Sequence, residues 1–483
     1  MSSPRSRPVT FTLSSTPVGR RRHDPRAAEF ERLPDLSPAR TATAAGAYGC
    51  VVIDTRNVCD RSVLKVFPHD AMDASGPNGK EDRDREVANY EEFARELTPA
   101  VFAEAFVPLV DTAEFSLADI GPRGADRCRD MNWDTSLPIA GAVYEYGGIS
   151  LQALGKMKDK SLASVGAYVA LMNLGPVLTA LLQLHAHGLM HNDIHTGNVV
   201  FDPQTQRVRF IDLGLAHKFT RFSEEGPMLA PHYPLDYAFL WDTWLQRRDV
   251  ERGAPPVSRV GDILDVIWAG HAAHHNSLVV SAMAILRSKG AVDDVVYPWA
   301  QRALLPDMKR DPAGFAAAMQ TLRDGYGEWV TAMRDAGASQ EAVQAAQKSA
   351  IDVFGMGRVM LALWVRCRSG PMPEADGASP RAHFSPEALA PRHGRLWYLN
   401  VVLLAVRMMQ PDVRHRPTAE AVLGFYRDFM KDMADARAEP QKLLGSDGRP
   451  CEGKPRAVWR DGGGGARGGG TAGAGAGTGA GSS

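Results

Sequence analysis

The stretch LMHNDIHTGNVVFDPQTQRVRFIDLGLA, residues 189–216, decides how the chain is read. It sets His191, Asp193, Asn198 and Asp212 among apolar runs that look buried. NVVF and VRFID are separated by DPQTQ, a cluster of turn-forming residues, which predicts a hairpin. Upstream, SLASVGAYVALMNLGPVLTALLQLHAH (161–187) carries apolar residues near the helical period, so a helix is expected to run to about Gly188. Asp193, Asn198 and Asp212 therefore fall in loops around the hairpin, where reactive side chains are usually displayed. Two readings compete: a polar turn between a helix and a hairpin, or a site that handles a metal and a phosphate.

The spacing carries a resemblance. His-x-Asp-x-x-x-x-Asn, as HNDIHTGN (191–198), followed by Asp-x-Gly, as DLG (212–214), resembles the catalytic and metal-binding loops of the eukaryotic-type protein kinases. Other motifs of that family occur in order. AAGAYGCV (44–51) resembles its Gly-rich phosphate loop, with Gly46 and Gly49 in place and Ala44 where a first glycine would stand. Glycines there let backbone N–H groups approach phosphates without a Cβ clash. SVLK ends in Lys65 on an apolar strand, where a lysine is costly unless paired. Glu86 in DREVANYEEF offers the partner, on a helix whose Val87, Tyr90 and Phe93 form one apolar face. VYEYGGISL (143–151) is similar to the segment that joins the two kinase lobes. AIDVFGMGRVMLALW (350–364) resembles a buried helix that opens with an aspartate, here Asp352. MMQPDVRHRPTAEAVL (408–423) resembles the closing motif of the large lobe, with Asp412 and Arg416 in the matching places.

The resemblance implies an α+β, bilobal fold. A small strand-rich lobe would cover 34–145 and a large helical lobe 146–436, with a helical insertion over about 237–350 and disordered tails at 1–33 and 437–483. It implies ATP and Mg²⁺ as cofactors. Gly46, Tyr48, Gly49 and Val51 would cover the nucleotide, and the backbone of Glu145 to Gly147 would bond the adenine. Lys65 would hold the phosphates and Glu86 would fix Lys65. Asn198 and Asp212 would ligate the metal, Asp193 would orient the attacking hydroxyl and take its proton, and His195 would lie beside the transferred phosphate. The implied activity is transfer of the γ-phosphate to serine or threonine of a protein substrate. A nucleotide-binding scaffold without turnover and a small-molecule phosphotransferase of the aminoglycoside-kinase type remain the alternatives.

The pattern is broken at several places. Asn192 replaces the arginine that usually precedes the catalytic aspartate, which argues against switching by a phosphorylated loop. His195 stands where serine/threonine kinases carry a lysine, and an imidazole with an ordinary pKa near ~6.5 is mostly neutral at cell pH. Leu213 replaces a phenylalanine. Ala-Pro-Glu is represented only by APH or YPLD within FTRFSEEGPMLAPHYPLD (219–236), with Asp236 the candidate partner of Arg416 and Thr220 and Ser223 as candidate phosphorylation sites. The long segment before Asp352 has helical periodicity in two stretches. EYGG, HYPLD and this insertion are similar to protein kinases encoded by large DNA viruses. In HAAHHN, His271, His274 and His275 read as a helix surface rather than a metal site, and Trp241, Trp244, Trp268, Trp299 and Trp329 as core anchors.

Composition narrows the rest. The 483 residues exceed one ordinary core, and a net charge of −1 provides no global attraction for nucleic acid. Residues 1–33 carry seven arginines against three acids, so any polyanion or nucleic-acid contact is expected from that arm alone. Five scattered cysteines without a CxxC pair indicate a reducing, intracellular setting. No apolar run is long enough to span a membrane, and no secretory h-region opens the chain.

Overall fold

The computed structural model describes residues 45–46, 49–54, 62–67, 79–115, 139–219, 233–258, 263, 275–287, 296–306, 310–369 and 396–438. The arm 1–33 and the Gly-rich tail past Ala438 lie outside the described residues. The fold mixes strand and helix and is mostly helical.

The first part is a five-stranded antiparallel sheet: β1 (Ala45–Gly46), β2 (Gly49–Asp54), β3 (Ser62–Phe67), β4 (Leu109–Phe115) and β5 (Ile139–Glu145), in the order β1-β2-β3-β5-β4. The strand-like runs GCVVIDT (49–55), RSVLKVFP (61–68) and AGAVYEYG (140–147) carry β2, β3 and β5. β5 is interior, between β3 and β4, and residues 139–143 are all buried, so it reads as a continuous apolar run rather than an alternation. Helix α1 (Gly79–Glu96) packs against β3 and β5. It is strongly charged, and Phe93, fully buried, is its main apolar anchor. Helix α2 (Pro99–Ala105) follows, started by a proline whose missing N–H costs nothing in a first turn.

The second part begins at the short strand β6 (Ile149–Ser150) and helix α3 (Leu151–Lys156), which Ser150 caps by accepting the Ala153 N–H. The single helix expected over 161–187 is two, α4 (Lys160–Met172) and α5 (Gly175–Ala186), bent by 45°. Pro176 in the first turn of α5 cannot donate into a preceding helix, which forces the break. The Leu174 N–H freed there donates to the Tyr426 hydroxyl at 3.1 Å. The chain then leaves through Gly188, whose φ of 70° suits glycine, as the sequence led us to expect. Among the described residues no single helix is long and apolar enough to cross a membrane. The bent pair α4 and α5 reaches that length together, but Ala163, Leu171, Val177, Leu178, Leu181 and Leu184 of these helices lie in the core.

Strands β7 (Leu189–Met190), β8 (Val199–Asp202), β9 (Arg207–Phe210) and β10 (His217–Lys218) follow, with β8 and β9 forming the expected hairpin. β6 joins that hairpin in a three-stranded sheet, and β10 pairs with β7. The remaining helices are α6 (Tyr237–Glu251), α7 (residues 275–287), α8 (Val296–Ala303), α9 (Pro312–Asp335), α10 (Gln340–Ser369), α11 (Leu396–Met408) and α12 (Ala419–Ala438). Helix α10 runs through the core against α4 and α11 and carries the fully buried Trp364. It does not open at Asp352. It begins at Gln340, because QEAVQAAQKSA holds good helix formers and no breaker.

One further expectation changes. His275 is not on a helix surface: it is fully buried, its Nε2 lies 2.7 Å from the Ala303 carbonyl, and its ring stacks on Phe354. Burial lowers its pKa to about 4, so it stays neutral. His271 and His274 lie outside the described residues. Trp241 is buried, whereas Trp299 and Trp329 are half-buried, and Trp299 lies beneath the guanidinium groups of Arg302 and Arg407. The side chains of Trp244 and Trp268 are outside the described set.

Candidate active site

Lys65 lies on β3, paired in register with Val51 of β2 and Ala142 of β5, and is only 9% exposed. A lysine at that depth requires counter-charge. Its Nζ lies 2.5 Å from Glu86 Oε2 on α1 and 2.8 Å from Asp212 Oδ1 in the loop after β9. Burial alone would lower the ammonium pKa, but the Asp212 and Glu86 carboxylates outweigh it and hold Lys65 above its ordinary value. Glu86 is 1% exposed, and burial pushes its carboxyl up while Lys65 opposes the shift. Its second oxygen, Oε1, accepts the Tyr144 hydroxyl at 2.6 Å.

The loop 191–198 is held from beneath by Asp352, which is buried in α10. Its carboxylate accepts the His191 N–H at 2.9 Å and the Asn192 N–H at 2.8 Å, and lies 3.2 Å from His185 Nε2. Tyr233 donates its hydroxyl to the Asn192 carbonyl at 2.7 Å. Asn192 itself sits at φ 60°, in a region that asparagine tolerates better than most residues. Gly355 lets α10 approach closely, since a Cβ there would stand 2.5 Å from the Ile194 carbonyl oxygen.

Within the loop, Asn198 Nδ2 donates to Asp193 Oδ2 at 2.6 Å and to the Asp193 carbonyl at 3.0 Å. His195 Nδ1 accepts the Gly197 N–H at 3.0 Å, and its Nε2 lies 3.7 Å from Asp193 Oδ2. That bond assigns the ring hydrogen of a neutral His195 to Nε2, on the side of Asp193. The two loops are joined by the Ile211 N–H on the Asn198 carbonyl at 3.1 Å and by His191 Nε2, 3.2 Å from the Ile211 carbonyl. His191 is thus a brace. Asp212 adopts φ 64°, and Asn89 of α1 donates to the next carbonyl, that of Leu213, at 2.8 Å.

The other expected residues divide. Gly46 and Gly49 face each other in the β1–β2 register, and Val51 is half-buried beside Lys65. Tyr48, Thr220 and Ser223 lie outside the described residues. The Glu145 side chain is exposed, and its N–H donates to the Pro108 carbonyl at 2.9 Å. Gly147 is buried where a Cβ would stand 2.4 Å from Val107 Cγ2, so close packing requires the glycine. Arg416 and Asp236 form a buried, bidentate ion pair, supplemented by Arg416 Nε on the Gln410 carbonyl at 2.6 Å. The structure therefore brings Lys65, Glu86 and Asp212 into one cluster, and Asp193, His195 and Asn198 into a neighbouring one. Sequence reasoning missed Tyr144, Asn89 and Tyr233 as contributors. Their hydroxyl and amide groups reach residues far away in the chain, and no local pattern marks that. Among the described residues no three His, Cys, Asp or Glu side chains form a metal cage.

No family model matches the chain. Among curated proteins, cyclin-dependent kinase B2-1 of Arabidopsis thaliana is 28% identical over 175 residues, which is 33% of this chain and 55% of that protein. The chain is related to the protein kinase superfamily. It spans about half the length of that curated relative. Among solved structures, the Cydia pomonella granulovirus kinase PK-1 is similar at 14% identity, covering 42% of this chain and 63% of that one, with a TM-score of 0.27. A likeness that loose adds nothing to the argument for the site.

Proposed function

We propose that the chain is an ATP- and Mg²⁺-dependent protein kinase that transfers the γ-phosphate to serine or threonine hydroxyls. The observation that carries this reading is the buried Lys65 ammonium held between Glu86 and Asp212, a cation on a strand joined to an acid on a helix and an acid on a loop. Phosphoryl transfer asks a protein mainly for alignment and charge neutralisation. Lys65 would meet the nucleotide's phosphates, with Glu86 setting its direction. Asp193 would accept the proton of the incoming hydroxyl, and His195 would donate Nε2–H toward the transferred group. Gly46, Tyr48, Gly49 and Val51 would enclose the nucleotide, and the backbone from Glu145 to Gly147 would bond the adenine.

Asp212 and Asn198 fit the ion. Mg²⁺ prefers a few hard oxygen donors from the protein and completes its shell with water and phosphate, so a pair of donors beside a lysine is sufficient. The Asp212 side chain, 35% exposed, is accessible to such an ion. When bound, Mg²⁺ would neutralise charge on the phosphates.

The same proposal includes a small lobe over 34–145, a helical lobe over 146–436 and a helical insertion over about 237–350. The sheet β1–β5 with α1 supports the first, and helices α3–α12 support the second. An intracellular location, a protein substrate and a likeness to kinases of large DNA viruses belong to this reading.

Radiolabel transfer from Mg-ATP to generic protein acceptors tests it. The expected product is phosphoserine or phosphothreonine. Asp193→Asn should lower transfer by about 100-fold or more while nucleotide-induced thermal stabilisation persists. Undiminished transfer by that variant would remove Asp193 as the base. Stabilisation by nucleotide without any turnover would favour a scaffold, and turnover confined to small alcohols would favour a small-molecule kinase.

A further inference from the structure

Glu86 has two carboxylate oxygens in a buried setting. Lys65 occupies one, and a second left without a donor would cost a large part of a charged hydrogen bond. The Tyr144 hydroxyl fills it at 2.6 Å. Tyr144 is on interior strand β5, its Cα in register with Val63 of β3 and Leu109 of β4, so it cannot follow a moving helix. Its ring meets Tyr90 of α1 edge-on at 6.4 Å, and the Tyr90 hydroxyl accepts the Leu109 N–H at 2.9 Å. The helix and the sheet thus exchange hydrogen bonds: Tyr144 reaches from strand to helix, and Tyr90 from helix to strand.

Lys65 has a choice of carboxylate, since Asp212 lies almost as close as Glu86. We propose that Tyr144 is a positioning residue that fixes the Glu86 carboxylate, so that Glu86 keeps Lys65 directed at the nucleotide instead of releasing it to Asp212. This rests on the nucleotide-binding reading above. The tyrosine acts through Glu86 and touches no reacting atom. It is a durable donor: burial first, then the negative charge of Glu86, hold its hydroxyl well above its ordinary pKa.

The test is Tyr144→Phe, which deletes the hydroxyl and keeps the ring. Mg-ATP affinity, measured by calorimetry on the full chain, should weaken about 10-fold, the loss of one hydrogen bond to a charged group. In turnover the change should appear mainly in KM for ATP. Glu86→Gln and the double variant Glu86→Gln with Tyr144→Phe complete a cycle. If Tyr144 acts through Glu86, the second change adds no more than about 2-fold to the first. Equal Mg-ATP affinity in wild type and Tyr144→Phe would overturn the proposal, as would fully multiplicative losses in the cycle, which would mean independent structural damage. A wild-type chain that binds no Mg-ATP would instead overturn the nucleotide reading, and the positioning role with it.

Discussion

Asn192 carries its share of the site through its backbone. Its N–H goes to Asp352 and its carbonyl takes the Tyr233 hydroxyl, both at φ 60°. The position is 7% exposed and braced from both sides. A β-branched residue would resist that backbone angle, whereas glycine would adopt it freely. Asn192→Val should therefore lose about 2 kcal/mol of stability in urea unfolding, and Asn192→Gly less than about 1 kcal/mol. Equal losses would remove backbone strain from the account. At this scale much of the site could be read in the sequence, because a buried charge announces that it needs a partner. Lys65 in an apolar strand demanded an acid, and Glu86 met the demand. Tyr144 gave no such signal, since a tyrosine in a strand packs well with or without a hydrogen bond.

The elements were legible where a local rule governs them, and misread where a distant contact or a boundary decides. The β8–β9 hairpin followed from turn chemistry alone. The division of α4 from α5 could have been read from Pro176, but the apolar period continues across it and hides the bend. Helix α10 was cut short in reading because its motif starts at Ala350, although the helix starts at Gln340. Strand β4 lies at the sheet edge with residues 110–112 exposed, and so lacks the apolar signature of β5. Helix α10 has one contact that links packing to the candidate site: Asp352 accepts two backbone N–H groups of the loop 191–198. Asp352→Ala leaves both donors buried. It should cost about 3 to 5 kcal/mol in denaturant unfolding and lower phosphoryl transfer more than nucleotide binding. A variant that keeps full transfer would show that the loop holds its shape without α10.

Among the described residues, His217 and His275 are shifted well toward the neutral form. His217 is lowered to about 4 by burial and then by the neighbouring Lys348, and His275 to about 4 by burial. An unfolded histidine titrates near ~6.5, so between that value and 4 the unfolded chain takes up protons that the folded chain refuses. This contribution to stability is complete above pH 6.5 and is lost as pH falls toward 4, at about 1.4 kcal/mol per pH unit for each histidine. His275 Nε2 meets the Ala303 carbonyl and its ring lies on Phe354. Replacing it by glutamine keeps a donor and removes the titration. Urea unfolding of wild type and His275→Gln between pH 6.5 and 5 should then give slopes that differ by about one proton, the variant being the less acid-sensitive. Identical slopes would mean that the folded core accepts the proton, and that α7 opens to solvent before the rest of the molecule unfolds.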